Sequence, residues 1–170
     1  CGSGSIRTKG GLIAEAGRTL KAKRGEETFD GQGTLLLPGF IDMHFHGYDG
    51  RSVMDGSLDS VRALSSILPR FGVTTFLPST YSGTGEAISK ALSAVKEASA
   101  DSSGARIAGV HLEGPYLNPK MAGSQPAHRI RPADPKEYRA WLATGIIRVV
   151  TVAPEMPGNE RFIKACIKKG

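Results

Sequence analysis

Two histidines separated by one residue, His44 and His46, end an apolar stretch that starts at Leu35. Successive side chains of a β-strand point to opposite faces, so both imidazoles project from the same face of a strand. Two imidazoles this close together can share one small divalent cation. One pair of histidines does not complete a metal site, however, and the spacing alone favours a surface pair or a hydrogen-bonded core pair over a metal site.

A carboxylate follows a later apolar stretch in the same way. Glu113 comes directly after the segment 106–112 and precedes the sharp turn Gly114-Pro115. A carboxylate oxygen beside imidazole nitrogens is an ordinary ligand set for zinc or a similar metal, and the place of Glu113 at a strand end favours this role over a cap or a surface charge. His111 shares a face with Glu113. We interpret it as a packed core histidine, the alternative being that it supports a ligand.

A loop of roughly twenty residues follows Glu113, long enough to be functional rather than a simple connection. Its small residues would let the backbone approach a ligand, and the Gln125 amide can both donate and accept hydrogen bonds. Arg129 and Arg131 could face an anion, but solvated loop charges are the plainer interpretation. His128 lies in the same loop. Farther along, Glu155 follows another apolar stretch, and a structural role is favoured over a catalytic one.

The elements that must position these residues alternate between strands and helices. Four strands and four helices predict a parallel α/β sheet with right-handed crossovers, which is also half of an eightfold barrel with its chemistry at the carboxyl ends of the strands. The last two strands are almost continuously apolar, which predicts that they are covered on both faces. The predicted strands are 35–46, 73–78, 106–112 and 146–152. The first predicted helix is 57–68, the second is capped by Thr84 and has an apolar stripe from Ala87 to Ala98, and the third begins at Asp134-Pro135. The fourth turns Phe162, Ile163, Cys166 and Ile167 inward and stops at Gly170.

The first 34 residues have a different composition. They are rich in Gly, Lys, Arg and Thr, with short apolar pieces at 11–14 and 28–30, and predict short strands and turns. Residues 1–5 are interpreted as a flexible leader or a cut end.

The composition limits the classes of protein to which the chain could belong. The chain carries 22 Lys and Arg against 16 Asp and Glu, a net charge of +6, but the basic residues are scattered and are interpreted as solvated surface rather than a nucleic-acid site. No apolar run is long enough to span a bilayer and no signal sequence is present, so we expect a cytoplasmic protein without a membrane partner. Cys1 and Cys166 form no paired motif, and Cys166 is expected to be a buried or incidental thiol. Nucleophile elbows and phosphate-binding loops are absent from the sequence.

The motifs together resemble a known family. The stretch 38–47, Pro-Gly-Phe-Ile-Asp-Met-His-Phe-His-Gly, resembles the first-strand signature of the amidohydrolase superfamily. The later stretches 111–119, 122–126 and 152–155 are narrower, and in this order they are similar to the N-acetylglucosamine-6-phosphate deacetylase family.

The resemblance implies a metal-dependent hydrolase that converts N-acetyl-D-glucosamine 6-phosphate to D-glucosamine 6-phosphate and acetate in amino-sugar catabolism and cell-wall recycling. It implies that Glu113 binds the catalytic divalent metal and that His44 and His46 hold a second metal in the members that use two, zinc being expected and iron, manganese or cobalt being alternatives. It also implies that Ser124 and Gln125 contact the phosphorylated amino sugar, and that the enzyme is a homodimer. His128 has no secure counterpart.

The resemblance further implies a fold with the first half, four βα units, of a TIM-like (β/α)8 barrel over residues 37–170. Residues 1–36 would be part of a small β-sandwich domain. The family's remaining metal-binding histidines and its catalytic aspartate come from later strands, so we expect an internal fragment with no catalytic residue of its own and no activity in isolation. The alternatives are another amidohydrolase, either an N-acetylgalactosamine-6-phosphate deacetylase or a cyclic amidase, and a non-catalytic fragment.

Overall fold

The computed structural model describes residues 2–31, 33–101 and 103–170. The chain divides into two compact units, Cys1–Pro38 and Gly39–Gly170. Cys1, which the leader prediction included, lies outside the described residues. In the part of the chain that is described, no helix has the length and hydropathy needed to cross a membrane.

The first unit contains an antiparallel hairpin of β1 (Ser5–Lys9) and β2 (Leu12–Gly17). Gly10 and Gly11 both have positive φ, which suits glycine in the tight connection between two strands. The predicted apolar piece at 11–14 therefore falls in the hairpin. The piece at 28–30 forms no strand, and Phe29 is exposed.

The second unit alternates strands and helices. Short 3-10 turns at 53–55, 68–71, 119–121 and 127–129 lie between its main elements. Those elements are β3 (Phe40–Phe45), β4 (Gly47–Tyr48), β5 (Arg51–Ser52), α1 (Leu58–Ile67), β6 (Val73–Pro78), α2 (Gly85–Ala100), β7 (Arg106–Ile107), β8 (Val110–Glu113), α3 (Pro135–Ala143), β9 (Ile147–Thr151) and α4 (Asn159–Lys169).

The long strands of this unit pair in parallel, as predicted for an α/β chain. β6 lies between β3 and β7, and β8 pairs with β9. A parallel bridge between Ser79 and His111 continues the pairing from the end of β6 to β8. The carboxyl ends of β3, β6 and β8 therefore meet at one edge, which is the edge that carries the candidate site.

Two predicted strands depart most from the structure in their limits. The first begins at Phe40 rather than Leu35, because Pro38 has no N–H for a strand ladder. The third is broken into β7 and β8 at Gly109, whose φ of +146° lies outside the range of ordinary strand residues. Glycine is needed at this break, because an added Cβ would lie 2.8 Å from the Ile146 carbonyl oxygen.

Three helices start at side-chain caps, of which Thr84 and Asp134 were predicted. The side chain of Ser57 accepts a hydrogen bond from the Ser60 N–H at the start of α1, and Thr84 does the same for Ala87 at the start of α2. Asp134 caps α3 through the Lys136 N–H. Each cap satisfies a backbone donor that a helix terminus would otherwise leave unpaired.

The core lies between the strands and the inner faces of the helices. Tyr116, Trp141 and Phe162 form an aromatic group in which Tyr116 contacts both of the other rings. The other fully buried large residues are Phe76, Leu64, Ile88, Leu92, Leu112, Val53, Val61, Val95 and Val110.

Two burial predictions were wrong in part. Ile167 on α4 is 74% exposed, although Phe162 on the same helix is buried as predicted. Ile167 lies five residues after Phe162, which on a helix of 3.6 residues per turn places it well away from the buried face. In the last strand pair, β8 is covered on both faces but β9 is not, and Val149 is exposed.

Candidate metal centre

The strand ends bring His44, His46 and Glu113 together. His44 lies within β3, His46 directly follows it, and Glu113 is the last residue of β8. His44 and Glu113 are 69 residues apart in sequence, yet their side chains are in contact. They meet because β3 pairs with β6 and the end of β6 pairs with β8.

Three ligand-type atoms converge at one point. Glu113 Oε2 lies 2.6 Å from His44 Nε2 and 3.1 Å from His46 Nε2, and the two Nε2 atoms are 3.0 Å apart. Two imidazole nitrogens and a carboxylate oxygen are a normal donor set for zinc and similar cations. The His44 and His46 side chains are partly exposed, whereas Glu113 is largely covered.

The hydrogen bonding of His46 indicates that a cation fits here. Its Nδ1 lies 3.1 Å from the carbonyl oxygen of Ser79, which can only accept, so Nδ1 carries the hydrogen. In the neutral ring Nε2 then presents a lone pair toward Glu113 Oε2, which also presents lone pairs. His44 Nε2–H can serve only one of these acceptors in a linear hydrogen bond, whereas a shared cation satisfies all three atoms.

His111 lies beside this group but is fully engaged elsewhere. Its Nδ1 is 3.0 Å from Ser79 Oγ and its Nε2 is 2.7 Å from Thr151 Oγ1. It is 5% exposed, and burial, the largest influence, lowers its pKa below the usual value. The potential ligand atoms of His44, His111 and Glu113 lie within 4.8 Å of one another, so His111 could join a metal site only by giving up a present hydrogen bond.

Hydroxyl residues after β6, which were not among the predicted site residues, join the three strands. The Phe45 N–H donates to Ser79 Oγ at 3.0 Å, and the Ser79 N–H donates to the Phe45 carbonyl at 2.8 Å. Thr80 Oγ1 accepts from the Glu113 N–H at 3.2 Å, while its own N–H donates to the His111 carbonyl. The run Pro78-Ser79-Thr80 at a strand end, level with the two histidines, is a signal that could have pointed to these residues.

The long loop places Gln125 against the cluster and leaves Ser124 exposed. Gln125 Nε2 donates to Glu113 Oε1 at 2.7 Å, and the Ser82 N–H donates to Gln125 Oε1 at 2.7 Å. His128 is exposed on the same loop. It lines an open cavity of about 310 Å³ together with Met54, Tyr81, Ser82, Gly83, Thr84, Ala87, Pro126 and Arg129.

Arg131 is a structural residue rather than a free loop charge. Its guanidinium binds both oxygens of Glu137, at 3.1 and 2.7 Å, and donates to the Gly83 carbonyl at 2.8 Å. The Tyr116 hydroxyl donates to the same Glu137 carboxylate. Burial, together with this negative charge, raises the pKa of Tyr116 above its usual value.

Glu155 is not brought into the cluster. Its carboxylate accepts a hydrogen bond from Asn118 Nδ2 at 2.9 Å, and this bond lowers its pKa. Glu155 thus ties the turn after β9 to the long loop, in keeping with the favoured structural interpretation.

Known proteins with related sequences and folds were found by comparison. The chain is 42% identical over 137 residues to an N-acetylglucosamine-6-phosphate deacetylase of Bacillus subtilis, covering 77% of this chain and 35% of that protein. It is 35% identical over 133 residues to an N-acetylgalactosamine-6-phosphate deacetylase of Escherichia coli O157:H7, covering 76% of this chain and 35% of that one. The crystal structure of the N-acetylglucosamine-6-phosphate deacetylase from Pasteurella multocida superimposes with a TM-score of 0.89 at 24% identity, over 99% of this chain and 44% of that chain.

The chain covers less than half of each of these proteins. The chain spans 35% of the two curated relatives and 44% of the solved structure. The sequence model of the amidohydrolase family matches residues 35–169, which are most of the chain and include every candidate ligand. The chain belongs to the amidohydrolase family.

Proposed function

We propose that this chain is part of a metal-dependent deacetylase that hydrolyses N-acetyl-D-glucosamine 6-phosphate to D-glucosamine 6-phosphate and acetate. The observation that carries the proposal is the convergence of His44 Nε2, His46 Nε2 and Glu113 Oε2 within 3.1 Å at the carboxyl ends of two strands. Support comes from relatives named as N-acetylglucosamine-6-phosphate deacetylases.

His44, His46 and Glu113 would hold the cation, which we propose is zinc, with iron, manganese or cobalt as alternatives. A bound divalent cation would activate water and polarise the amide carbonyl that the water attacks. The donor set suits such a cation, because two neutral imidazoles and one carboxylate leave a net positive charge at the centre. Partial exposure of both imidazoles keeps the centre open to a substrate.

The surrounding residues would hold the ligands in place. Ser79 fixes the His46 ring through its carbonyl oxygen, and Thr80 fixes the backbone of Glu113. Ser124 and Gln125 are proposed to contact the sugar. Ser124 is exposed and precedes Gln125 in the chain, and the Gln125 amide has a second N–H besides the one that reaches Glu113.

The larger assembly is part of the same proposal. Residues 37–170 would form the first four βα units of a (β/α)8 barrel, and residues 1–36 part of a β-sandwich domain. The high TM-score with a deacetylase structure over nearly the whole chain supports this architecture. We further propose that the intact enzyme is a cytoplasmic homodimer.

The test is acetate release from N-acetylglucosamine 6-phosphate by the intact protein, before and after removal of metal with a chelator. We expect release that stops on chelation and returns on addition of zinc. Release that is unaffected by complete metal removal would contradict the proposed mechanism.

A second candidate substrate is N-acetylgalactosamine 6-phosphate, because one relative carries that name. The two sugars differ only in the configuration of one hydroxyl, so the same centre could serve either. Parallel assays that compare kcat/KM for the two sugars decide between them. A kcat/KM that is higher for the galactosamine epimer would replace the first proposal with the second.

A further inference from the structure

We infer that Gln125 is a positioning residue for Glu113, an inference that rests on the proposed metal centre. Its side chain is a fixed bridge that joins the turn after β6 to the carboxylate at the end of β8. This role differs from the substrate contact that the family resemblance implies for Gln125, since it acts on the metal centre before any sugar binds.

The orientation of the Gln125 amide follows from its neighbours. The backbone N–H of Ser82 is a donor, so the atom that faces it at 2.7 Å is the amide oxygen. The amide nitrogen therefore faces Glu113 Oε1, also at 2.7 Å. A flipped amide would set two donors against each other at Ser82 and two acceptors against each other at Glu113, so only one orientation is stable.

The two carboxylate oxygens of Glu113 have different partners. Gln125 occupies Oε1, and Oε2 is left to face both imidazoles, at 2.6 and 3.1 Å. The Glu113 N–H donates to Thr80 Oγ1, so the residue is held at its backbone and at its carboxylate. Because an amide is neutral, it restricts rotation of the carboxylate without cancelling its charge.

The loop is built to hold Gln125 in this place. It docks at two adjacent points of one turn, where Gln125 accepts from the Ser82 N–H and Arg131 donates to the Gly83 carbonyl at 2.8 Å. Arg131 is itself fixed by both oxygens of Glu137. The Gln125 N–H also donates to the Ala122 carbonyl at 3.0 Å, which closes a turn around Gly123. Both ends of the bridge are therefore anchored.

Metal affinity of the intact protein, measured by competition with a chromogenic chelator and without substrate, tests the inference. Gln125→Met keeps the length of the side chain but removes the donor, and we expect it to weaken Zn²⁺ binding by about 10- to 100-fold. Gln125→His should restore most of the affinity, because an imidazole can donate to Glu113 and accept from Ser82. The matched control is Met121→Ala, which changes an exposed residue of the same loop and should leave affinity within about twofold.

Other outcomes separate this inference from the proposed function. If Gln125→Met raises KM for the sugar and leaves Zn²⁺ affinity unchanged, Gln125 serves only the substrate and the inference is overturned. The inference also fails if Gln125→His binds metal no better than Gln125→Met while both variants melt at the temperature of the original protein. If the original protein neither binds Zn²⁺ nor releases acetate, it is the proposed function that fails.

Discussion

The His46 ring and the Ser79 carbonyl are joined by a contact of 3.1 Å from Nδ1 to O, and this contact decides which ring nitrogen is free to bind a metal. The carbonyl is held in place because Ser79 and Phe45 exchange hydrogen bonds, N–H to carbonyl at 2.8 Å and N–H to hydroxyl at 3.0 Å. The strand pairing therefore sets the tautomer of His46, with Nε2 directed at Glu113. Ser79, which takes no part in the proposed reaction, thus leaves Nε2 of His46 free to bind a metal.

Removal of the Glu113 carboxylate charge should abolish the metal centre. Glu113→Gln keeps the shape of the side chain but replaces a charged oxygen with a neutral amide, so we expect Zn²⁺ affinity and acetate release to fall by more than about 100-fold. Metal content after dialysis and an acetate assay measure the two effects. Glu160→Gln, on the exposed face of α4, is the control. Retention of a full equivalent of metal by Glu113→Gln would contradict the assignment of Glu113 as a ligand.

Loss of the Ser79 hydroxyl should lower both stability and metal affinity. Ser79→Ala leaves the part-buried Phe45 N–H and His111 Nδ1 without a partner, which we expect to cost about 1–3 kcal/mol of the free energy of unfolding. Ser65→Ala is the matched control, because Ser65 also donates a buried hydrogen bond, at 2.9 Å to the Ala105 carbonyl, but lies away from the site. Denaturant unfolding should show both losses, whereas chelator competition should show weaker Zn²⁺ binding only for Ser79→Ala.

The Arg131 and Glu137 pair should be worth more than an exposed ion pair. It is bidentate and both side chains are largely covered, so a double-mutant cycle with Arg131→Met and Glu137→Gln should give a coupling energy of about 1–2 kcal/mol. The exposed pair Glu86 and Lys90 on α2 should give a clearly smaller coupling energy, because water screens both charges. Equal coupling energies for the two pairs would show that the loop is not anchored through Arg131.

Tyr116 should make the fold sensitive to alkaline pH. Burial raises its pKa above the usual value of 10.0, so the folded chain retains this proton where the unfolded chain loses it. The contribution of Tyr116 to stability is therefore complete below about pH 10 and is lost as the pH rises above that value. Free energies of unfolding between pH 9 and 11 should fall less steeply for Tyr116→Phe than for the original protein. The same slope in both proteins would contradict this assignment.

Much of the second unit could be predicted from local sequence. The predicted caps Thr84 and Asp134 begin helices in the structure, and the strand Val73–Pro78 has the predicted limits. Such features depend on backbone donors and side-chain periodicity within a few residues, so the sequence carries them directly. Family membership also came from local motifs, because residues at strand ends and in the loop lie in short contiguous stretches.

The hydrogen-bonded details of the site were decided only by tertiary structure. Ser79 contacts His111, which is 32 residues away, and Gln125 contacts Ser82 across 43 residues. Nothing within a few residues of Ser79 or Gln125 specifies these partners, since they depend on the register of β3, β6 and β8. The break at Gly109 likewise depends on a neighbouring element, because an added Cβ there would meet the Ile146 carbonyl oxygen.

The sequence by itself determined which side chains could bind a metal and that they stand at strand ends. The tertiary structure decided which nitrogen of His46 is free, which oxygen of Glu113 faces the imidazoles, and that Gln125 holds the other. The physical reason is that ligand chemistry is a property of each residue, whereas the direction of a lone pair depends on partners supplied by distant strands and loops.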